Sequence, residues 1–559
     1  MFTTPPEPLT PRQKMILAIV TVLGAASRLL AFARSPWDWD EALFTMALRD
    51  YDVTLHHPHP PGFPVYIALA KVARLFLADD FRALQGVNLV AAMLVFPAVF
   101  LFARELRMRF GTAVAAGALF AVFPNVWFFG GGAFSDIPSI VLVLFAVTLL
   151  FRGARSRSSY WWGTLLLALA IGIRPQNFLV GLVPGLLASR KRRPAEILVA
   201  LLIGVIVVAA AFGGAIEATG SVHDYLRIVR EHGQYIARVD SFQAAGRPPL
   251  WRLFDRFFVY QYQGRVLSTI ASLFVALSIA GSLRERDRSM LWNALTFVPF
   301  ALFAWLMLDR FSIGRFSIGY QPMFALLLAD GIRRVTAWRA PGERPRAEGV
   351  LAGAFVAAFC AYTIPALTPV RNEIAPSIVA AQTMARRLDP KSEQLFVGDS
   401  MRVFLDLVAP TLPYTRIADD RGLPVQASGR AWLLAESTST KGEGLLFRRE
   451  RGSLWNITRR HYFSIKLAPL DRRAQFPSGW QPAEASAHEQ WRWMGERSTT
   501  VLPPAPGPTS LFLRMDVPEE SVTAHATITV TLNGRVLARI PATALLEREL
   551  AVTPAPAGQ

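Results

Sequence analysis

Residues 195–215 read AEILVALLIGVIVVAAAFGGA, and this stretch decides the fold class of the chain. An α-helix rises about 1.5 Å per residue, so a run of roughly 20 apolar residues reaches across the hydrocarbon layer of a bilayer. The run holds one charged residue, Glu196, and four basic residues precede it at positions 190–193. The pattern predicts a membrane-spanning helix.

Runs of the same kind recur along the first two thirds of the chain. The 559 residues are 52% hydrophobic with a mean hydropathy of +0.32, which is more apolar surface than one globular core needs. We therefore predict an α-helical polytopic membrane protein with about eleven transmembrane helices. Their predicted limits are 14–34, 83–103, 112–129, 136–152, 159–173, 175–188, 195–215, 266–283, 290–308, 313–332 and 348–368.

Two of these runs, 159–173 and 175–188, are short for a straight crossing and meet at Arg174-Pro175. They are either two short helices or one bent segment. If both cross, one side of the membrane receives most of the basic clusters, and the positive-inside rule makes that side the cytoplasm. These clusters are Arg12/Lys14, Arg104/Arg107/Arg109, Arg152/Arg155/Arg157, Arg190/Lys191/Arg192/Arg193, Arg284/Arg286/Arg288 and Arg333/Arg334/Arg339.

The segment from Pro58 to Ala78 is apolar enough to resemble a span, but it contains Lys71 and Arg74 and opens with prolines. Counting it as a crossing would place most arginine clusters outside. It is therefore predicted to be an amphipathic helix at the outer surface, and the odd number of crossings places the chain beyond Pro369 outside as well.

The formal charge of +18 does not indicate a nucleic-acid partner, because the basic residues lie in short clusters between apolar runs. The loop 216–265 is assigned to the outside although it carries several arginines. It is either a basic surface resting on lipid headgroups or part of an anionic substrate site. These arginines are Arg227, Arg230, Arg238, Arg247, Arg252, Arg256 and Arg265.

The C-terminal part is predicted to be external and to contain two regions. Residues 370–474 have the pattern of an α/β region, with a helix over 378–388 and strands over 394–398 and 431–435. Residues 475–559 alternate like strands, and Asn533-Gly534 predicts a hairpin turn within a β-sandwich-like domain. Its tryptophans at 480, 491 and 493 either bind glycan or fill the sandwich core.

Chemistry-bearing residues gather in the first external loop, where residues 37–44 read WDWDEALF and residues 56–64 read HHPHPPGFP. Acidic groups beside a membrane span are costly to hold near hydrocarbon, so Asp40 and Glu41 call for a functional hypothesis.

These motifs resemble those of the polytopic C-type glycosyltransferases, which include protein O-mannosyltransferases and aminoarabinose transferases of lipid A. The resemblance rests on the acidic pair, the His-Pro-Pro-Gly segment, and short polar motifs at the outer ends of spans. These motifs are Ser135-Asp136-Ile-Pro138, Gly172-Ile-Arg174-Pro175, Arg315-Phe316 and Tyr320-Gln-Pro322. Gly62-Phe-Pro64 departs from the Leu-Tyr type of continuation in known relatives, so the acceptor is the least transferable property.

The resemblance implies an inverting transfer of a sugar, a hexose or a pentose, from a polyprenyl-phosphate donor. The acceptor, a lipid, polysaccharide or protein, arrives from outside. Asp40 would be the general base and Glu41 would orient the loop or the acceptor. Substrate and donor phosphate would be held by Arg174, Arg315, Asp136, His57 and His59.

Each of these residues also has a simpler interpretation. Asp38 and Asp40 are suited to capping a helix, and Arg174 and Arg315 could reach the membrane interface from helix ends. The prolines between His56, His57 and His59 break the spacing of helical zinc motifs, so no metal site is predicted, although a divalent metal is left open.

Two other classes of function compete with a transferase. A secondary transporter or lipid-sugar flippase also has many spans, although no internal repeat is evident and the polar motifs gather at one face. A catalytically silent, glycan-binding relative is the other alternative. The chain has no GxxxxGK[ST] loop for ATP. The resemblance and the arginine-rich composition favour a bacterial inner membrane, with membrane lipids as neighbours.

Overall fold

The computed structural model describes residues 4–244, 247–262, 264–308, 313–338, 345–417, 430–436, 444–449, 464–469, 474–482, 484–485, 490–502, 508–517, 526–542 and 545–553. Helices form the first two thirds of the chain and strands dominate the last third. The protein is a multi-pass membrane protein with a strand-rich C-terminal region.

The helices of the described residues begin and end as follows, with short 3-10 turns at Arg28–Ala31, Pro175–Asn177 and Ser317–Gly319 and a π-turn at Asp255–Val259. They are α1 Pro11–Ser27, α2 Trp39–Arg49, α3 Pro64–Ala73, α4 Asp80–Met93, α5 Val95–Glu105, α6 Phe110–Val122, α7 Pro124–Phe129, α8 Asp136–Gly153, α9 Arg157–Ile173, α10 Phe178–Ser189, α11 Pro194–Thr219, α12 Val222–Val239, α13 Leu250–Phe254, α14 Arg265–Glu285, α15 Arg288–Met307, α16 Ile313–Phe316, α17 Gln321–Trp338, α18 Pro345–Asn372, α19 Pro376–Arg387 and α20 Asp399–Val408.

Seven of the described helical segments are long and apolar enough to cross a membrane. They correspond to the predicted runs that begin near residues 14, 83, 136, 195, 266, 290 and 348. The other four predicted runs are also helical, but they are shorter or broken. Pro124 separates α6 from α7, and the turn Ser317–Gly319 separates α16 from α17.

Burial separates the inner helices from the peripheral ones. Most of α8 is enclosed by other helices, whereas α11 is almost entirely exposed in the isolated chain. Its exposed side chains include the large apolar residues Leu198, Leu201, Leu202, Val205 and Ile206. A helix that is apolar all round and uncovered by protein is suited to face lipid.

The segment predicted to lie at the membrane surface forms α3, which has 10 residues and is too short to cross a bilayer. The turn before it depends on Gly62, which has a φ of 100° and whose carbonyl accepts a hydrogen bond from Tyr51 Oη at 2.9 Å. A Cβ at position 62 would lie 2.4 Å from that oxygen. Glycine is therefore the residue that this turn requires.

After residue 370, helices α19 and α20 occur together with five strands. The strands β1 Glu393–Gly398, β2 Thr415–Ile417, β3 Arg430–Glu436, β4 Leu445–Arg448 and β5 Ser464–Pro469 form one sheet in the order β2-β1-β3-β5-β4. Strand β1 runs parallel to β2 and β3, and β5 runs antiparallel to β3 and β4. Helix α20 follows β1 and packs against α2, which brings this region next to the first loop.

The later strands pair two by two among the described residues: β6 Gln475–Trp480 with β9 Met494–Val501, β7 Glu484–Ala485 with β8 Gln490–Trp491, β10 Thr509–Asp516 with β13 Leu545–Val552, and β11 Thr527–Leu532 with β12 Arg535–Pro541. The hairpin at Asn533-Gly534 is confirmed, and both turn residues have positive φ. The side chains of Trp491 and Trp493 are exposed, so they do not fill a core. The sandwich and the region boundaries stay predictions.

Candidate functional site

The first turn of α2 gives Asp38 and Glu41 a structural role as its capping residues. Asp38 is the residue that caps α2, and its carboxylate accepts a hydrogen bond from the Asp40 N–H at 3.0 Å. Glu41 completes the capping box. The Asp40 side chain is not one of the two that form this capping box, and one fifth of it is exposed.

Two arginines and two carboxylates from distant parts of the chain meet in one cluster. Arg315 donates from Nη1 to Oδ2 of Asp40 and from Nε, at 2.7 Å, to Oδ2 of Asp136. Arg174 donates from Nη2 to the same Asp136 oxygen at 2.8 Å. The formal charge of these four groups is zero. We refer to Asp40, Asp136, Arg174 and Arg315 as the ion-pair cluster.

The cluster lies where helices end, which accounts for its position. Asp136 begins α8, Arg174 follows the last residue of α9, and Arg315 lies in the short helix before α17. The three side chains of Asp136, Arg174 and Arg315 are less than a tenth exposed. Charges buried this deeply are tolerated because each has a charged partner, and removing one partner of such a pair costs about 3–5 kcal/mol.

Neighbouring polar and aromatic groups complete the surroundings of the guanidinium groups. Arg174 Nε donates to Ser135 Oγ at 3.0 Å, and its Cζ lies 5.6 Å from the ring centroid of Phe63. The Cζ of Arg315 lies 5.0 Å from the ring centroid of Phe134. Cation–π contacts of this kind hold a guanidinium plane in place while leaving its edges for hydrogen bonds.

Glu41 is buried and accepts hydrogen bonds from the protein backbone. Its Oε2 accepts from the N–H groups of Trp37 (2.7 Å) and Asp38 (3.0 Å), and its Oε1 accepts from the N–H of Ala133 (2.8 Å). Burial raises the pKa of Glu41 to about 8, although the backbone N–H groups act in the opposite direction. These contacts join the first loop to the turn before α8.

The histidines of the first loop divide into two environments. His59 Nδ1 lies 3.8 Å from Oδ1 of Asp40, and burial lowers the pKa of His59 to about 3. His57 instead has its Nδ1 3.8 Å from Asp50, and burial lowers its pKa. The structure therefore brings His59 to the ion-pair cluster, whereas His57 lies beside a different acid, Asp50.

Two residues beside the cluster were not identified from the sequence. Tyr66 of α3 is fully buried, its ring packs edge-on against Phe44 at 5.2 Å between centroids, and its hydroxyl has no hydrogen-bond partner among the residues that the structure describes. That hydroxyl interacts electrostatically with Glu41 and with three members of the cluster, Asp136, Arg174 and Arg315. No signal in the sequence distinguishes Tyr66 from a packing residue.

His232 is the second unexpected neighbour. Its ring centroid lies 6.1 Å from that of His59, and it projects from α12 of the arginine-containing loop. The sequence did contain a signal for His232. Ile228, Val229 and Ile236 lie three or four residues from it, so on a helix His232 is a polar residue within an apolar stripe.

Other charged groups of that loop have local partners. Arg227 pairs with Asp224, with 3.2 Å between Nη2 and Oδ1, and Arg247 donates from Nη1 to the carbonyl oxygens of Asp240 and Leu306 at 2.6 Å. In the described part of the chain, no group of three His, Cys, Asp or Glu side chains is arranged to hold a metal ion.

The comparisons with known proteins give structural matches only. No family model matches the sequence, and no curated protein does. The structure is similar to ArnT from Cupriavidus metallidurans bound to undecaprenyl phosphate, with a TM-score of 0.48, 10% identity, and coverage of 82% of this chain and 98% of that one.

Two other similar structures are the arabinofuranosyltransferase AftD from Mycobacteria and the S. cerevisiae protein O-mannosyltransferase Pmt1-Pmt2 complex. The first has a TM-score of 0.47, 13% identity, and coverage of 82% of this chain and 40% of that one. The second has a TM-score of 0.30, 16% identity, and coverage of 44% and 37%.

Proposed function

We propose that the protein is an inverting glycosyltransferase that moves a hexosyl or pentosyl group from a polyprenyl-phosphate donor to an acceptor. Transfer takes place on the side of the membrane where the ion-pair cluster lies. The observation that carries the proposal is the convergence of Asp40, Asp136, Arg174 and Arg315 at one buried place beside the membrane spans. A carboxylate with access to solvent, next to two guanidinium groups, is the combination that base-assisted displacement of a phosphate requires.

Asp40 is the general base in this proposal. It is the most exposed carboxylate of the cluster, since its side chain is one fifth exposed while that of Asp136 is 4% exposed. An acceptor hydroxyl can therefore approach Asp40, whereas Asp136 is enclosed by the two arginines that it joins.

Arg174 and Arg315 stabilise the phosphate of the donor, and Asp136 holds both guanidinium groups at the site. His59 contributes hydrogen bonds and no charge, because its imidazole is neutral with a pKa of about 3. Glu41 orients the loop through its three backbone contacts and does not take part in proton transfer. His57 is left out of this set because its Nδ1 lies beside Asp50, at 3.8 Å from the carboxylate.

The proposed location is a bacterial inner membrane, with the N-terminus in the cytoplasm and the C-terminal region in the periplasm. The distribution of arginines supports this orientation. The same orientation supports a lipid-linked donor. Nucleotide sugars are confined to the cytoplasm, whereas the proposed orientation puts the ion-pair cluster at the periplasmic face of the membrane.

Transfer of labelled sugar tests the proposal. Membranes containing the native protein or Asp40→Asn, at matched expression, are supplied with polyprenyl-phosphate sugars and envelope acceptors. We expect transfer by the native protein and a loss of at least about 100-fold in Asp40→Asn, the usual contribution of a general base. Asp79→Asn is the matched control, since Asp79 caps α4 and asparagine caps equally well.

Equal transfer by the native protein and Asp40→Asn would remove Asp40 from the mechanism. If the native protein transfers no sugar from any donor but moves labelled lipid between leaflets, the protein is a flippase. Binding of glycan without either activity would identify a silent relative.

A further inference from the structure

The charge balance of the ion-pair cluster raises a problem for the proposed reaction. Its two guanidinium groups are already matched by two carboxylates, so an incoming phosphate finds no net positive charge in these four groups. A phosphate bound to polyprenol and sugar carries one negative charge, and it carries two after the sugar has left. The site must therefore supply positive charge to the phosphate when its bond to the sugar breaks.

We propose that Arg315 changes partners during transfer: it separates from Asp40 as that carboxylate takes the proton of the acceptor, and it pairs with the departing phosphate. This inference rests on the proposed function. It assigns Arg315 a coupling role, because the same guanidinium senses the protonation of the base and stabilises the leaving group.

The atoms and charges of the step balance. The acceptor oxygen forms a bond to the anomeric carbon, and its proton moves to the Asp40 carboxylate. The bond between the anomeric carbon and the phosphate oxygen breaks, and its electron pair stays on that oxygen. One negative charge therefore disappears at Asp40 while one appears on the phosphate, and the summed charge of the two is unchanged.

The geometry of Arg315 suits this exchange. Its Nε stays bonded to Asp136 at 2.7 Å, so the guanidinium keeps an anchor when Nη1 leaves Asp40. The ring of Phe134 lies against the guanidinium plane. Arg174 is not suited to the exchange, because its Nε and Nη2 are engaged by Ser135 and Asp136, neither of which gains a proton in the reaction.

Binding of undecaprenyl phosphate, the product-like monoester, tests the exchange in the purified full-length protein at pH 8, where the phosphate is a dianion. Asp40→Asn mimics the protonated base and releases Arg315. We expect it to bind the monoester about tenfold more tightly than the native protein, in line with one freed charge-assisted hydrogen bond. In the double variant Asp40→Asn/Arg315→Gln the gain should disappear.

Asp38→Asn controls for the loss of a negative charge as such, because the Asp38 carboxylate also acts on Arg315 electrostatically and asparagine preserves the helix cap. Its effect on affinity should be well below that of Asp40→Asn. Asp40→Ala repeats the comparison if asparagine at this position prevents folding.

The proposal is overturned if Asp40→Asn binds the monoester no more tightly than the native protein, or if the gain persists without Arg315. Sugar transfer by the native protein is measured in parallel. Absence of transfer refutes the proposed function, whereas transfer without the affinity gain refutes only the exchange of partners.

Discussion

At the scale of single residues, the site is a set of buried charged and polar groups whose burial is offset by local partners. Arg174 and Arg315 share one oxygen of Asp136, and Glu41 is held by three backbone N–H groups. Polar groups that lack a partner are therefore informative. The hydroxyl of Tyr66 is such a group, since it is buried, has no partner in the described part of the chain, and lies within electrostatic range of the cluster.

Tyr66→Phe tests whether this hydroxyl binds ligand. A buried hydroxyl without a partner contributes no stability, so its removal should leave the unfolding temperature unchanged or slightly raised. If the hydroxyl donates a hydrogen bond to the donor, kcat/KM for sugar transfer should fall about tenfold. Unchanged kcat/KM with unchanged unfolding would show that the hydroxyl does not touch the substrate.

Glu41→Gln tests the role of Glu41 as an organiser of the loop. The amide nitrogen of glutamine cannot accept a hydrogen bond, so at pH 5 one backbone N–H should lose its acceptor and the variant should be less stable by about 1–3 kcal/mol. Thermal unfolding of the purified protein in detergent measures the difference.

The pH dependence of that difference follows from the raised pKa of Glu41, which is about 8 in the folded protein and about 4.3 in an unfolded chain. Between these values the folded state binds more protons, so the stability contributed by Glu41 falls as pH rises. Glutamine does not titrate. The stability difference between the native protein and the variant should therefore shrink from pH 5 to pH 9, and a difference that widens with pH would contradict this assignment.

At the scale of elements, the sequence predicted the positions of the helices more accurately than the points at which they are interrupted. The predicted run 112–129 is divided at Pro124, whose ring has no N–H to continue the helix, and the run 313–332 is divided just after Arg315. The partners of Asp40 were not predictable, because Arg315 is 275 residues away and only packing brings the two together. Periodicity reports which face of a helix is buried, but not which helix covers it.

The close approach of α3 to α9 provides a test at this scale. A Cβ at Gly172 would lie 2.4 Å from Cγ2 of Val65, so Gly172→Ala should push α3, with Tyr66, away from Arg174. We expect a loss of about 1–3 kcal/mol in stability and a clear loss of transfer.

Gly185→Ala is the matched control, because a Cβ at that position of α10 would have no described atom within 4 Å beyond its chain neighbours and its own helix backbone. The control should be neutral or stabilising by up to about 1 kcal/mol, as alanine favours helix more than glycine does. Equal effects of the two substitutions would show that the contact between α3 and α9 does not support the site.

At the scale of the whole molecule, the path of α9 and α10 through the membrane determines the orientation of the chain that follows them. Tyr160 Oη, near the start of α9, lies 2.8 Å from Ser189 Oγ at the end of α10. The start of α9 and the end of α10 therefore lie together, as in an antiparallel hairpin, while Arg174 at the turn between them belongs to the ion-pair cluster. This geometry favours two crossings over one bent segment.

Labelling of single cysteines in intact cells tests that path. The chain has one cysteine, Cys360, so Cys360→Ser gives a background into which Lys191→Cys or Lys391→Cys is introduced. With two crossings, position 191 faces the cytoplasm and an impermeant maleimide should not reach it, whereas position 391, in the C-terminal region, should be labelled. Labelling of Lys191→Cys from outside would mean that residues 157–189 cross once, and the cluster at Arg174 would then lie within the membrane instead of at its outer face.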